Sequence, residues 1–375
     1  MIRLERRLTT PRLLSLVLPF VWIALALVLA GILLLATGHD PLATYRRIVE
    51  RGFITRGAPS ATLVSATPLA FTGLAAAAFR MRLWNIGGEG QLYLGAAGAA
   101  GAGLYLGHHG AGAGLLIPGM MLGGFVAGAA WGAIPGLLRA YLHTNEIIVS
   151  LMLNYVALQL IYYLIFGSQS YWRDTKSASA KVFPQGAQLV PGAIWPHFDL
   201  SLWDAVSLPL GFVLAIAAAA AIWLLYARTR AGFAMRVIGD SPRAARYAGM
   251  RTRRTVVGAL ALSGGVAGLG GASQIGDFSH VLDPKGLQGS GYGYAGIVVA
   301  ALARLNPFAA IVVAILFGGL QNAGFSLQGA DFSPGLVGML QGMILFCALG
   351  VEVFARYRIR WASGVPAAPP AGTAA

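Results

Sequence analysis

Charge is scarce in this chain. Of its 375 residues only 11% are charged, and acidic groups number just 13. A soluble domain carries about a quarter charged residues, so an ordinary water-soluble globule is excluded. Cysteine is nearly absent. A single Cys347 permits no intrachain disulfide and no thiolate metal cluster, and inside an apolar run it reads as a small hydrophobe. Lysine is rare as well: Lys176, Lys181 and Lys285 are the only three. Catalytic signatures are missing too. There is no G-x-x-x-x-G-K-[ST] phosphate loop, no G-x-S-x-G and no H-E-x-x-H. Nothing in the chain reads as an enzyme active site by itself.

What is present is hydrophobicity, at 57% of residues and a mean hydropathy of +0.69. A bilayer core about 30 Å thick takes about 20 apolar residues in a helix. The apolar runs here are that long and do not alternate, which excludes a β-barrel. The pattern predicts an all-α, polytopic helix bundle with about ten membrane segments: 13–36, 59–79, 86–107, 113–137, 147–167, 205–227, 256–274, 291–303, 307–324 and 334–354. The first run is too long for a signal-peptide core and lacks a small-residue cleavage site, so it reads as a retained span. The run 291–303 is too short to cross alone. It is a half-helix or continues into its neighbours. Residues 1–360 read as one permease-sized membrane domain. The tail "SGVPAAPPAGTAA", 361–375 with its flank, reads as disordered.

Charge orients the segments. With the N-terminus inside, the inner side collects 19 arginines: four before the first span, Arg80 and Arg82, Arg139, eight from Arg228 to Arg254, Arg304, and three near the C-terminus. The outer side collects eight Lys and Arg against eight Asp and Glu. Both termini are therefore expected in the cytoplasm. One stretch resists, "YRRIVERGFITR" (45–56), which carries four arginines to the outside and suits an amphipathic segment on the membrane surface. The net charge of +14 then needs no nucleic-acid partner.

Two rows of small residues at four-residue spacing, Gly124/Gly128/Gly132/Gly136 and Gly264/Gly268/Ala272/Gly276, predict close helix packing. Four further stretches carry chemistry. The longest inner loop, about 228–255, contains "GDSPRAARYAGM". Asp240 or Ser241 can cap a short helix, Pro242 suits its first turn, and Gly249 ends it. Ala244, Ala245 and Ala248 leave one side slim. Such a helix fits a cleft on a partner, or is an ordinary solvated element of a positive loop. In "TNEIIVSLMLNYVA" Thr144 is the expected N-cap, Glu146 suits the helix dipole, and Asn154 falls near mid-membrane. In "LWNIGGEGQLYLGA" Asn85 and Glu89 share a helix face, while Gly87, Gly88 and Gly90 favour a break. The charge count places this block just inside the cytoplasmic face. There Glu89 either pairs with Arg80 or Arg82 or faces a polar pathway. On the outer side, Asp277, His280 and Asp283 can meet an external partner; His280 has no nearby second ligand for a metal.

These stretches resemble a known family, the permease subunits of bacterial ABC importers of the ribose and branched-chain amino-acid class. The resemblance rests on "ATPLAFTGLAAAAFRMRLWNIGGEGQLYLGA", "TNEIIVSLMLNYVA", "RAGFAMRVIGDSPRAARYAGM" and "GYGYAGIVVAALARLNPFAAI", which span Ala66 to Ile311. The NIG-x-EGQ block looks most like the nucleoside branch. The resemblance implies that Gly239, Asp240, Ser241, Pro242, Ala244, Ala245, Tyr247, Ala248 and Gly249 couple to an ATP-binding subunit, which would hold ATP and Mg while this chain holds no cofactor. It also implies a second, different permease subunit, an extracytoplasmic substrate-binding lipoprotein, and a place in the bacterial inner membrane. A flat, polar nucleoside would be served by Asn85, Glu89, Gln91 and Asn154 for hydrogen bonds and by Tyr155, Tyr292 and Tyr294 for stacking. Alternatives are a permease for simple sugars or other small polar solutes, an ion-coupled secondary transporter using Glu89, or a membrane scaffold.

Overall fold

The structure is a computed structural model that describes residues 2–6, 12–200, 206–328 and 357–361, with a few isolated positions between 338 and 350. Most of the expected segment 334–354, and the tail beyond 361, lie outside the described residues. Two compact units emerge, Met1–Leu42 with Gly335–Ala375, and Ala43–Pro334. In the first, β1 (Ile2–Arg6) pairs antiparallel with β4 (Tyr357–Trp361), and α1 covers Arg12–Ala36.

The second unit holds the bundle. Its helices are most of α2 (Pro41–Val49), then α3 (Ala58–Ala75), α4 (Gly88–His108), α5 (Ala113–Leu142) and α6 (Glu146–Tyr162), then the short α7 (Ala178–Val182). They continue with α8 (Leu210–Arg228), α9 (Arg230–Asp240), α10 (Pro242–Tyr247), α11 (Thr252–Ser273), α12 (Pro284–Ser290), α13 (Tyr292–Leu302) and α14 (Pro307–Leu327). A small hairpin joins β2 (His197–Asp199) to β3 (Ser207–Pro209). Among the described residues five helices are long and apolar enough to cross a membrane, or six if one bent pair counts as a span.

Small residues set the core. The rows on α5 and α11 interlock: a Cβ on Gly264 would strike the Gly128 carbonyl, and one on Gly128 the Gly264 carbonyl. A Cβ on Gly95 of α4 would land on Gly268, so three backbones meet at one crossing. In lipid, where water gives little drive for helix association, such approach gains dispersion contacts and is the main packing force. The arginine-bearing stretch 45–56 is helical through α2 and a π-helical turn, Glu50–Ile54. Its Gly52 lies against Gly319 of α14, and Asn322 donates to the Arg51 carbonyl at 3.3 Å.

The two ends of the bundle differ in their contacts. At one end Arg139 meets Glu146 at 3.2 Å, Arg253 lies over the Tyr141 ring, and Arg80 donates to the Leu305 carbonyl. The N-cap of α6 is Asn145, whose side chain accepts from the Ile147 amide, rather than the expected Thr144. Asn145 wins because it has the extended backbone a cap needs. At the opposite end, Trp195 and Leu189 of the 168–209 loop bond to the Gly276 and His280 carbonyls. There the Ser177 hydroxyl, with the Lys176 and Ser177 amides, holds the Asp174 carboxyl down to about 2.

Candidate functional site

The site grows from a break in the helical path. After α3 the chain tightens into a 3-10 helix, Ala76–Met81. Arg82 then takes a left-handed conformation at φ 56°, and residues 83–86 run without regular structure before α4 begins at Gly88. Non-helical backbone at membrane depth survives only where protein satisfies its polar groups. Side chains do that here. Asn85 and Gln91 exchange amide hydrogen bonds at 2.8 and 3.0 Å. Asn85 also donates to the Ser263 hydroxyl at 2.7 Å and accepts from the Gly87 amide. Ser150 accepts from the Ile86 amide, while Asn154 accepts from Gly90 N and donates to the Ile86 carbonyl, both at 2.9 Å.

Glu89 ties this knot to a third element. Its Oε1 accepts from the Tyr93 hydroxyl at 2.7 Å. Its Oε2 accepts from the amides of Gly293 and Tyr294 at 2.6 and 3.1 Å. These are the orphan donors at the start of α13, so the carboxylate caps a helix that is distant in sequence. Among the described residues Glu89 meets neither Arg80 nor Arg82. The block also lies deeper than its flanking charges suggest, because Asn85 is level with Ser263 at mid-length in α11. Asn85, Glu89, Gln91 and Asn154 are all at most 4% exposed. Short α13 is a separate half-length helix, bounded by Gly291 and by left-handed Arg304 and Leu305.

Not every expected pathway residue turns inward. Tyr155 is 59% exposed on α6 and Tyr294 is 42% exposed, its hydroxyl accepting from Asn154 at 3.3 Å. Tyr292 is buried against α3, where Thr72 donates to its carbonyl. The knot therefore reaches the surface of the chain at the Tyr155–Tyr294 face. Sequence reasoning missed Tyr93, Ser150, Ser263 and Gly293. Tyr93 was findable as the i+4 neighbour of Glu89; Ser263 and Gly293 carry no local signal.

The 228–255 loop folds as two helices. Ser241 caps α10, Pro242 opens it, and Gly249 leaves it at φ 72°. Asp240, Ala244, Tyr247 and Ala248 are exposed, and Tyr247 is fully so. Ala245 is the exception to the slim outward side: it is wholly buried against its own chain. Gly239 is buried too, with the Arg80 carbonyl 2.6 Å from where its Cβ would be. On the opposite end, Asp283 caps α12 and is exposed, while His280 ends the 274–279 turn, half-buried. Asp277 does not face outward. Its side chain is 1% exposed, with His197 3.9 Å away, because it sits on the inward side of the π-helical turn against Gly211.

The family described as "branched-chain amino acid transport system / permease component" matches residues 58–349. A glucose ABC transporter permease of Haloferax volcanii is 32% identical over 370 residues, 96% of this chain and 93% of that protein. A guanosine ABC transporter permease of Bacillus subtilis is 31% identical over 83% of this chain and 86% of its own. A nucleoside ABC transporter permease of Lactococcus lactis is 28% identical over 88% of this chain and 89% of its own.

Proposed function

This chain belongs to the branched-chain amino acid transport system permease family, and from that premise we propose that it carries nucleosides inward as the membrane subunit of an ATP-driven importer. It is a multi-pass cell-membrane protein and a transport component rather than an enzyme. The proposal adds its partners: an ATPase subunit that binds ATP and Mg, a second permease subunit, and an extracytoplasmic binding lipoprotein. It also adds topology, with ten segments and both termini inside.

One observation carries the ATP-driven part. The α10 turn stands out from the arginine-rich end with Tyr247 98% exposed, while buried Ala245 anchors it to the bundle. An exposed aromatic on a rigidly seated helix is what a docking contact needs. In transport, hydrolysis on the partner moves α9 and α10, and the bundle alternates between outward- and inward-open states. The nucleoside part is supported by the guanosine and nucleoside permeases among the relatives. A sugar cargo is the second reading, favoured by the glucose permease.

The reconstituted complex tests this. ATP-driven uptake of labelled guanosine supports the proposal; ATP-driven uptake of glucose alone moves the cargo to the sugar reading. Uptake driven by an ion gradient without ATP overturns it in favour of a secondary transporter. Docking is tested separately. Tyr247→Ala should weaken association with the ATPase subunit by about 2 kcal/mol, roughly thirtyfold in affinity. Pull-down titration of the purified subunits reads it. Ala248→Glu should do the same, whereas Ala245→Glu should instead lower the yield of folded chain, because it buries a charge. Unchanged affinity in both Tyr247→Ala and Ala248→Glu would remove α10 from the interface.

A further inference from the structure

The segment that begins at Arg80 and ends at Glu89 touches α13 at both of that helix's ends. Arg80 donates through Nη2 to the carbonyl of Leu305, in the turn that follows α13, at 3.2 Å. Glu89 accepts from Gly293 and Tyr294 at its start. The two pieces run antiparallel: α13 has 11 residues, about 16 Å by helical rise, and residues 80–89 lead from its C-terminal turn back to its start. Packing between them leaves no slack. A Cβ on Gly293 would fall on the Glu89 backbone, and one on Gly296 on Thr72 just upstream in α3.

The same segment touches the coupling helices. Gly239 of α9 meets the Arg80 carbonyl and the Met81 Cα, where a Cβ would be 2.6 and 2.9 Å away. The Arg80 guanidinium also lies 4.9 Å from the centroid of Tyr226, at the end of α8 that leads into α9. Backbone against backbone transmits displacement, since a packed contact deforms little. Arg80 thus joins three things: the helices that would face an ATPase, the C-terminal turn of α13, and the segment that holds the Glu89 knot.

We propose that residues 80–89 act as a strut that makes α13 move with α9 and α10, with Arg80 as the positioning residue at its outer joint. The strut rests on the importer reading, since it needs an ATPase to move α9 and α10. Arg80 itself touches no solute. Its side chain sets where α13 stands, and α13 in turn sets the Tyr294 face beside Asn154. Two non-glycine residues at the Arg80 joint, Arg304 and Leu305, hold left-handed conformations at φ 50° and 58°. Such a turn persists only where its surroundings enforce it, and the Arg80 bond to the Leu305 carbonyl is one such constraint.

The test uses the complete transporter in proteoliposomes, with ATP hydrolysis and labelled-guanosine uptake read side by side. Arg80→Ala should keep assembly and hydrolysis within twofold of the unmodified complex and lower uptake at least tenfold. Arg80→Lys, which keeps a donor but loses the planar contact with Tyr226, should fall between. A rescue separates coupling from general damage. In a Cys347→Ala background, Arg80→Cys with Leu305→Cys should be uncoupled, should regain uptake when a short bis-methanethiosulfonate linker bridges the pair through two disulfides, and should lose it again on reduction. Normal uptake in Arg80→Ala, or a bridge that fails to restore it, overturns the strut. If the unmodified complex moves no solute with ATP, the importer reading fails, and the strut with it. An active unmodified complex with an indifferent Arg80→Ala variant overturns the strut alone.

Discussion

Glu89→Ala should abolish uptake, and it should do so by undoing structure rather than by removing a contact to cargo. The carboxylate accepts from Tyr93 and from two amides at the start of α13. Alanine leaves three donors without acceptors, two of them buried and one part-buried. Each such orphan costs about 1–3 kcal/mol, so the loss is at least about 3 kcal/mol. That is more than a hundredfold in the population of the correctly seated α13, at about 1.4 kcal/mol per tenfold. Glu89→Gln separates charge from shape. Its Oε1 can still accept from the Gly293 and Tyr294 amides, and its Nε2 can donate to Tyr93, whose hydroxyl also accepts. The glutamine variant should therefore assemble and keep ATP-driven uptake within about tenfold. Uptake assays on the reconstituted complex, with thermal unfolding of each variant, check both halves. Ordinary uptake by Glu89→Ala would remove the capping role. Dead transport in a well-folded Glu89→Gln would point to the charge itself, as an ion-coupled carrier requires.

The periodic parts of this molecule were legible and the long-range ones were not. Segments expected at 86–107, 113–137 and 307–324 are the helices 88–108, 113–142 and 307–327, because apolar runs bounded by Gly and polar turns have few other readings. The interlocking rows on α5 and α11 were legible for the same reason: four-residue spacing of glycine has a direct packing meaning. The partner of Glu89 was not. Arg80 and Arg82 lie within nine residues, and proximity in sequence makes them the natural candidates. Left-handed Arg82 and the irregular run after it carry Glu89 away from both, into the bundle. Apart from Tyr93, its partners are 204 and 205 positions downstream. One clue did exist. A half-length helix preceded by "GSGYG" must present orphan amides to something, and an isolated carboxylate in an apolar chain is a suitable acceptor. Ala245 failed for a smaller reason. A hexapeptide helix has an inner side, and two alanines on it with a third at its C-cap do not reveal which one the bundle takes.

The crossing of α4, α5 and α11 should tolerate substitution least. Gly268→Val should leave little folded protein, because the new side chain would meet the Gly124 carbonyl and the Gly128 Cα on α5. Overpacking a core where side chains can yield costs about 1–3 kcal/mol. Here the obstacles are main-chain atoms of α5, so relief requires moving α11 away from α5. That would also open the reciprocal Gly128–Gly264 contact one turn along. The matched control lies on the same helix. Gly258 has open space around its Cβ position, so Gly258→Ala should be neutral or stabilising by up to about 1 kcal/mol through helix propensity alone. Purified yield and the unfolding temperature in detergent read both variants. A Gly268→Val protein as stable as Gly258→Ala would mean that α5 and α11 do not approach as closely as described. The depth of the Asn85–Ser263 pair would then need revision too, because Ser263 holds that knot from the same helix.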